Sequence, residues 1–183
     1  SLNRPDIQHH FVMALIDDHL RKLHYGHGYS CHVCVLRPHS RGEVSLLSEN
    51  PLDSPKIDPR FLSDDRDLMT LIKGAKITRE IMETPPLAMY KHKELFGIHE
   101  GITDVEWENH IRDRADTIYH PVGTCKMGTD ELSVVDTTLK IKGLEGIRIA
   151  DASIMPLIVS GNTNAPTIMI GEKCADLIKK EYS

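Results

Sequence analysis

The chain has 183 residues, long enough for a well-cored domain, and its 40% hydrophobic and 27% charged content is that of an ordinary globular protein. A formal net charge of −5 leaves no basic footprint for nucleic acid, and no apolar run approaches the roughly 18 residues that a membrane span needs. Four cysteines (Cys31, Cys34, Cys125 and Cys174) are too sparse for a disulfide framework and favour a reducing compartment. The expectation is therefore a cytoplasmic protein, at most peripheral to a membrane. The chain opens at Ser1 without Met or a charged-then-apolar leader, and it reads as a piece of a longer protein.

Along the chain, the stretch from Phe11 to Leu23 carries a helical periodicity. Gly26-His27-Gly28-Tyr29 is turn-like and leads into Ser30 to Leu36, a β-rich run stopped at Pro38. Ser40-Arg41-Gly42 then turns the chain into Glu43 to Ser48, which alternates as a half-buried strand should. The two runs are predicted to form an antiparallel hairpin. Asn50-Pro51, Ser54-Pro55 and Asp58-Pro59 mark loops. From Asp64 to about Met82 a helix is predicted, with Leu68, Leu71, Ile72, Ala75 and Met82 as its core stripe and Pro85-Pro86 as its stop. Thr103-Asp104-Val105-Glu106 is a capping box that opens a second helix, whose apolar side is Trp107, His110 and Ile111.

Ile147 to Ala150 form a brief apolar run after Gly146, the right length for a buried strand, with Asp151 at its end. From Pro166 the pattern turns helical again, with Ile170, Cys174, Leu177 and Ile178 on one stripe. Pro166 suits a first helical turn, where a missing N–H costs nothing. Asn162, Thr163 and Asn164 are all cap-type residues, so N–H groups without helical partners should gather around 163 to 167. Such a helix start can hold an anion or an electron-rich ring.

Three segments, YHPVGTCKMG (119–128), GLEGIRIADASIMP (143–156) and SGNTNAPTIMIGEKCADLI (160–178), together resemble the C-terminal part of the glucose–methanol–choline (GMC) family of FAD-dependent alcohol oxidoreductases. The likeness extends to RPDIQHHF (4–11) and SRGEVSLLSENP (40–51), nearly the whole chain. The resemblance implies an α+β fold, a mostly antiparallel substrate-domain sheet with helices over residues 1–146. It also implies a strand and helix over 147–183 that complete an FAD-binding Rossmann lobe. It makes Ile7 to about Leu15 a strand, against the helical periodicity. The active-site segment would be 117–128.

In that family the histidine of the His-Pro-x-Gly-Thr context is catalytic, here His120. Histidine suits a base because its ordinary pKa of ~6.5 lies near working pH. The second catalytic position falls on Asn162, whose amide would donate to the substrate oxygen; Asn164 is the nearby rival. By the same resemblance, Asp151 and Ala152 contact the flavin's ribityl or pyrophosphate region. The N–H groups of Thr163 and Asn164 would face the pyrimidine edge, where a helix dipole favours the reduced anionic ring. The implied reaction passes hydride from a primary alcohol or a choline-like substrate to flavin N5.

No GxGxxG occurs, so the N-terminal FAD lobe is absent, and FAD should bind this piece weakly or not at all. Its lobe-facing surface would then be apolar and prone to self-association. Two other readings stand beside this one. His24, His27, Cys31 and Cys34 offer zinc-type ligands, although Cys31 and Cys34 should point to opposite faces of a strand. A non-catalytic interaction module is the other. No metal is expected.

Overall fold

The computed structural model describes residues 3–22 and 24–183, with His19 by its backbone alone. The chain forms two compact units. The first takes in the chain up to Ser40 together with Phe61–Ile118. Here β1 (Ile7–Val12) pairs antiparallel with β2 (Ser30–Val35), Ile7 standing opposite Val35 and Val12 opposite Ser30. The strand expected near the start is present but stops at Val12. In place of the helical alternative there is one 3₁₀ turn, Asp18–Leu20, and Leu23 lies outside the described residues. The Ser30 hydroxyl secures this loop, accepting from Ile16 N at 3.1 Å and donating to Ala14 O at 2.8 Å.

The predicted hairpin between 30–36 and 43–48 does not form. β1 occupies β2's edge, and Leu36 N extends the pairing to Asp6 O at 2.8 Å. Beyond Pro38 the chain is captured by the buried carboxylate of Asp67. That group accepts from His39 N at 2.8 Å, Ser40 N at 2.8 Å and Ser40 Oγ at 2.6 Å. Three donors aimed at one carboxylate satisfy it, and they carry the backbone away from the turn a hairpin needs.

Asp67 belongs to α1 (Asp65–Met82), whose N-cap, Asp64, accepts from Arg66 N at 3.0 Å. α1 lies against the sheet at Gly74, where a Cβ would stand only 2.8 Å from Val33 Cγ2, so a side chain there would push the helix off. Pro85-Pro86 open the short α2 (Pro85–Ala88). The predicted capping box is formed on both sides at α3 (Asp104–Arg114), with Thr103 as N-cap and Glu106 reaching back. Leu36, Leu68, Trp107 and Ile111 are the buried apolar core of this unit. A second buried carboxylate, Asp17, takes His24 Nε2 at 2.7 Å and the Arg114 guanidinium, which lies 4.0 Å over the Phe96 ring. The His24 hydrogen bond, helped by Arg114, holds the Asp17 carboxyl below its ordinary pKa.

The second unit comprises Arg41–Arg60 and Tyr119–Ser183. β3 (Glu43–Ser45) pairs antiparallel with β4 (Lys56–Asp58), and all of β3 is exposed rather than half-buried as its alternation suggested. From Tyr119 to Thr163 the chain is irregular, apart from the 3₁₀ turn Ala152–Ile154 and single bridges such as Lys140 to Arg148. The predicted buried strand over Ile147–Ala150 is thus reduced to one bridge, and Ile147 is 48% exposed. Two hydrogen bonds flank the bridge, Ile141 N to Ile147 O and Ile149 N to Leu139 O. Leu139, at φ 69°, bends the opposing chain there and the ladder cannot continue.

α4 runs Asn164–Tyr182, two residues longer at its start than predicted, with Thr163 as N-cap and Pro166 in the first turn. Ile170 and Cys174 are buried with Val135, Leu139, Ile154 and Met155, and Leu177 packs at the edge, while Ile178 is exposed despite its place in the pattern. The boundary expected between 146 and 147 falls inside this core. Glu181 near the helix end takes Arg148 and Lys140 Nζ, the latter at 2.7 Å. Short antiparallel sheets and helices make the chain α+β.

Candidate active site

Tyr119, in the left-handed region at φ 65°, delivers His120 just ahead of Pro121. The following loop passes through Gly123 at φ 91°, where a Cβ would be strained and would meet Met155 O at 3.4 Å. Two backbone bonds then fasten the loop to the 3₁₀ turn, Cys125 N to Ser153 O at 3.0 Å and Met127 N to Ile154 O at 2.7 Å. Asp151 caps that turn, its Oδ1 accepting from Ser153 N at 2.7 Å; Ala152 lies half-buried against the core. These bonds connect the segment bearing His120 to the one that leads into α4.

The histidine and the carboxamide, 42 residues apart, meet here: Asn162 Nδ2 stands 2.8 Å from His120 Nε2. On the other side of the ring, His120 Nδ1 lies 3.0 Å from Thr163 Oγ1. An amide N–H donates, so Nε2 carries the lone pair, and in the neutral ring the proton sits on Nδ1 and is donated to the Thr163 hydroxyl. Thr163 N also approaches Nδ1, at 3.5 Å. That contact would need a lone pair on Nδ1, but it lies beyond good hydrogen-bond length, and the Thr163 hydroxyl can serve either tautomer, so the assignment follows from the shorter Asn162 amide contact.

Asn164, the rival for the second catalytic position, is the first residue of α4 and exposed. Its N–H and that of Ala165 fall in the first helical turn, where no intrahelical acceptor exists, whereas Thr167 N returns to Thr163 O at 3.0 Å. The positive end of α4 and these N–H groups begin next to the His120–Asn162 pair. This donor set suits one electron-rich edge of a planar ring such as the flavin of FAD. Asp151 is exposed, and one of its carboxylate oxygens caps Ser153. Sequence reasoning assigned Thr163 through its backbone and missed its hydroxyl. The available clue was Pro166, three residues on, which lacks the N–H that an N-cap threonine ordinarily binds.

The zinc alternative finds no matching geometry. Cys31 stands opposite Phe11 and Cys34 opposite Gln8, on opposite faces of β2, and His24 is bound to Asp17. Among the described residues no group of three His, Cys, Asp or Glu side chains is placed to hold a metal ion. Among them, too, no helix is long and apolar enough to cross a membrane.

Residues 38–171 match a family model described as GMC oxidoreductase. The chain is 50% identical over 179 residues to an alcohol dehydrogenase [acceptor] of Pseudomonas putida, covering 98% of this chain and 32% of that protein. It is 45% identical over 175 residues to an oxygen-dependent choline dehydrogenase of Escherichia coli, covering 96% of this chain and 32% of the relative. Among solved structures, the formate oxidase of Aspergillus oryzae RIB40, in a study of its FAD modification, superposes with a TM-score of 0.89 at 28% identity, over 98% of this chain and 32% of that one. The chain thus spans about a third of the length of the curated relatives it matches. With the family model covering most of its length and the relatives matching nearly all of it, the chain belongs to the GMC oxidoreductases, as part of their C-terminal region.

Proposed function

We propose that this chain is the C-terminal catalytic part of an FAD-dependent oxidoreductase acting on the CH–OH group of a primary alcohol or a choline-like substrate. The observation that carries the reading is the pairing of His120 Nε2 with Asn162 Nδ2 at 2.8 Å, beside the start of α4. Nε2 has a lone pair and Nδ2 has protons to give, which is the complement a hydroxyl group needs. A substrate alcohol entering between them donates its proton to Nε2 and accepts from the Asn162 amide as negative charge develops on oxygen. The bound FAD supplies the two-electron acceptor for the adjacent C–H bond. The N–H groups of Thr163 and Asn164 at the start of α4 would hold the ring's electron-rich edge, and Asp151 and Ala152 would contact the remainder of the cofactor.

FAD is held mainly by an N-terminal lobe that would pack on this chain. Ile168 and Met169 on the first turns of α4, 60% and 57% exposed, are apolar surface suited to that contact or to self-association when the lobe is missing. The isolated chain should accordingly purify without flavin absorbance, and a yellow chain with stoichiometric FAD would refute that division of labour. In the complete enzyme, His120→Ala should slow flavin reduction by alcohol roughly 10²–10⁴-fold in stopped-flow measurements. A rate near that of the parent would overturn the assignment of the base.

A further inference from the structure

A histidine base is useful only in the right tautomer, since Nε2 must be bare for it to accept a proton from substrate. Thr163 is positioned to decide this. It is buried, it is the N-cap of α4, and its hydroxyl makes no capping bond to its own helix. An N-cap threonine ordinarily accepts from the N–H of the second or third helical residue. The third residue here is Pro166, which has no N–H. The hydroxyl stands instead 3.0 Å from His120 Nδ1. Backbone also braces Thr163, because its carbonyl takes both Thr167 N at 3.0 Å and Thr167 Oγ1 at 2.6 Å.

We propose that Thr163 is a positioning residue of the active site: its hydroxyl, which makes no bond to its own helix, accepts Nδ1–H of His120 and keeps Nε2 bare toward substrate. The proposal rests on the reading of His120 as base. Removing the hydroxyl leaves Nδ1–H without its acceptor, so only the Asn162 amide then favours the bare Nε2, and the fraction with a bare Nε2 falls. The loss should appear in the chemical step rather than in alcohol binding.

The test uses the full-length, FAD-loaded enzyme. Thr163→Val should lower the limiting rate of flavin reduction at least about fivefold with little change in the alcohol concentration for half-saturation, and Thr163→Ser should restore most of it. In a His120→Ala background Thr163→Val should have no further effect, because the orienting bond is already gone. A loss smaller than fivefold, or a serine variant as slow as valine, overturns the proposal. Should the valine variant fail to fold or lose FAD, Thr163→Ala removes the same oxygen without adding bulk, and the same thresholds apply. A second readout needs no turnover. In full-length apoprotein labelled with ¹⁵N-histidine, the resonances lost in His120→Gln should report protonated Nδ1 and bare Nε2 in the parent, and a mixture in Thr163→Val. Protonated Nε2 in the parent refutes the tautomer. A severe His120→Ala defect with a neutral Thr163→Val would remove Thr163 alone and leave the base intact, whereas a neutral His120→Ala would remove the base itself.

Discussion

The two units solve the same problem, holding loops in place, by opposite means. In the first, the chain around Ser40 and the turn after Asp17 are fastened to buried carboxylates: Asp67 gathers His39 and Ser40, and Asp17 gathers His24 and Arg114. Regular elements supply the rest. The second unit has little regular structure between Tyr119 and Thr163, yet it carries the candidate site. Its irregular chain is laid over an apolar core of Val135, Leu139, Ile154, Met155, Ile170 and Cys174 and stitched by backbone hydrogen bonds. Directional anchors suit single points. An apolar core suits a long irregular path, because burial is non-directional and tolerates any backbone that excludes water. The loop bearing His120 is fastened to Ser153 and Ile154, so the geometry of the site depends on that core.

Two substitutions in the full-length enzyme would sharpen or break this contrast, read by hydrogen exchange on individual segments. The larger effect is expected from Ile154→Ala, which removes a buried side chain that is 3% exposed and leaves a cavity under the His120 loop. About 2–5 kcal/mol of local stability should be lost, with faster exchange at the Cys125 and Met127 amides and little change at His39 and Ser40. Asp67→Asn should be milder, roughly 1–3 kcal/mol, since one acceptor oxygen survives while the charge and the other acceptor are lost. Its signature is the reverse: faster exchange at the His39 and Ser40 amides, with Cys125 and Met127 unmoved. If both substitutions loosen the same amides, the two units do not differ in the way described.

Much of the first unit was legible because its signals are local. The capping box at Thr103 and Glu106 and the helix read from Asp64 to about Met82 need only neighbours three or four residues away. The box formed as read, and the helix runs Asp65–Met82, with Leu68 of its stripe buried and Leu71, Ile72, Ala75 and Met82 half-buried. The pairing of β2 was misread because nearness in sequence favours a hairpin with 43–48, whereas the competing partner lay upstream and the decisive anchor, Asp67, lay downstream. The strand at 147–150 was misread because an apolar run says nothing about whether its partner chain stays straight; Leu139 does not.

By itself the sequence determined the three longer helices, the capping box at Thr103 and the family, whose resemblance pointed to His120 and Asn162. Those follow from periodicity, from capping chemistry and from motif order, all of which are properties of the linear chain. Only the tertiary structure decided that His120 and Asn162 touch and that the Thr163 hydroxyl lies against Nδ1, because both depend on atoms 42 and 43 residues away. It also decided the use of the Thr163 hydroxyl. A cap residue and a proline can be read from a sequence, but which donor the displaced hydroxyl finds depends on the packing that brings the imidazole to it.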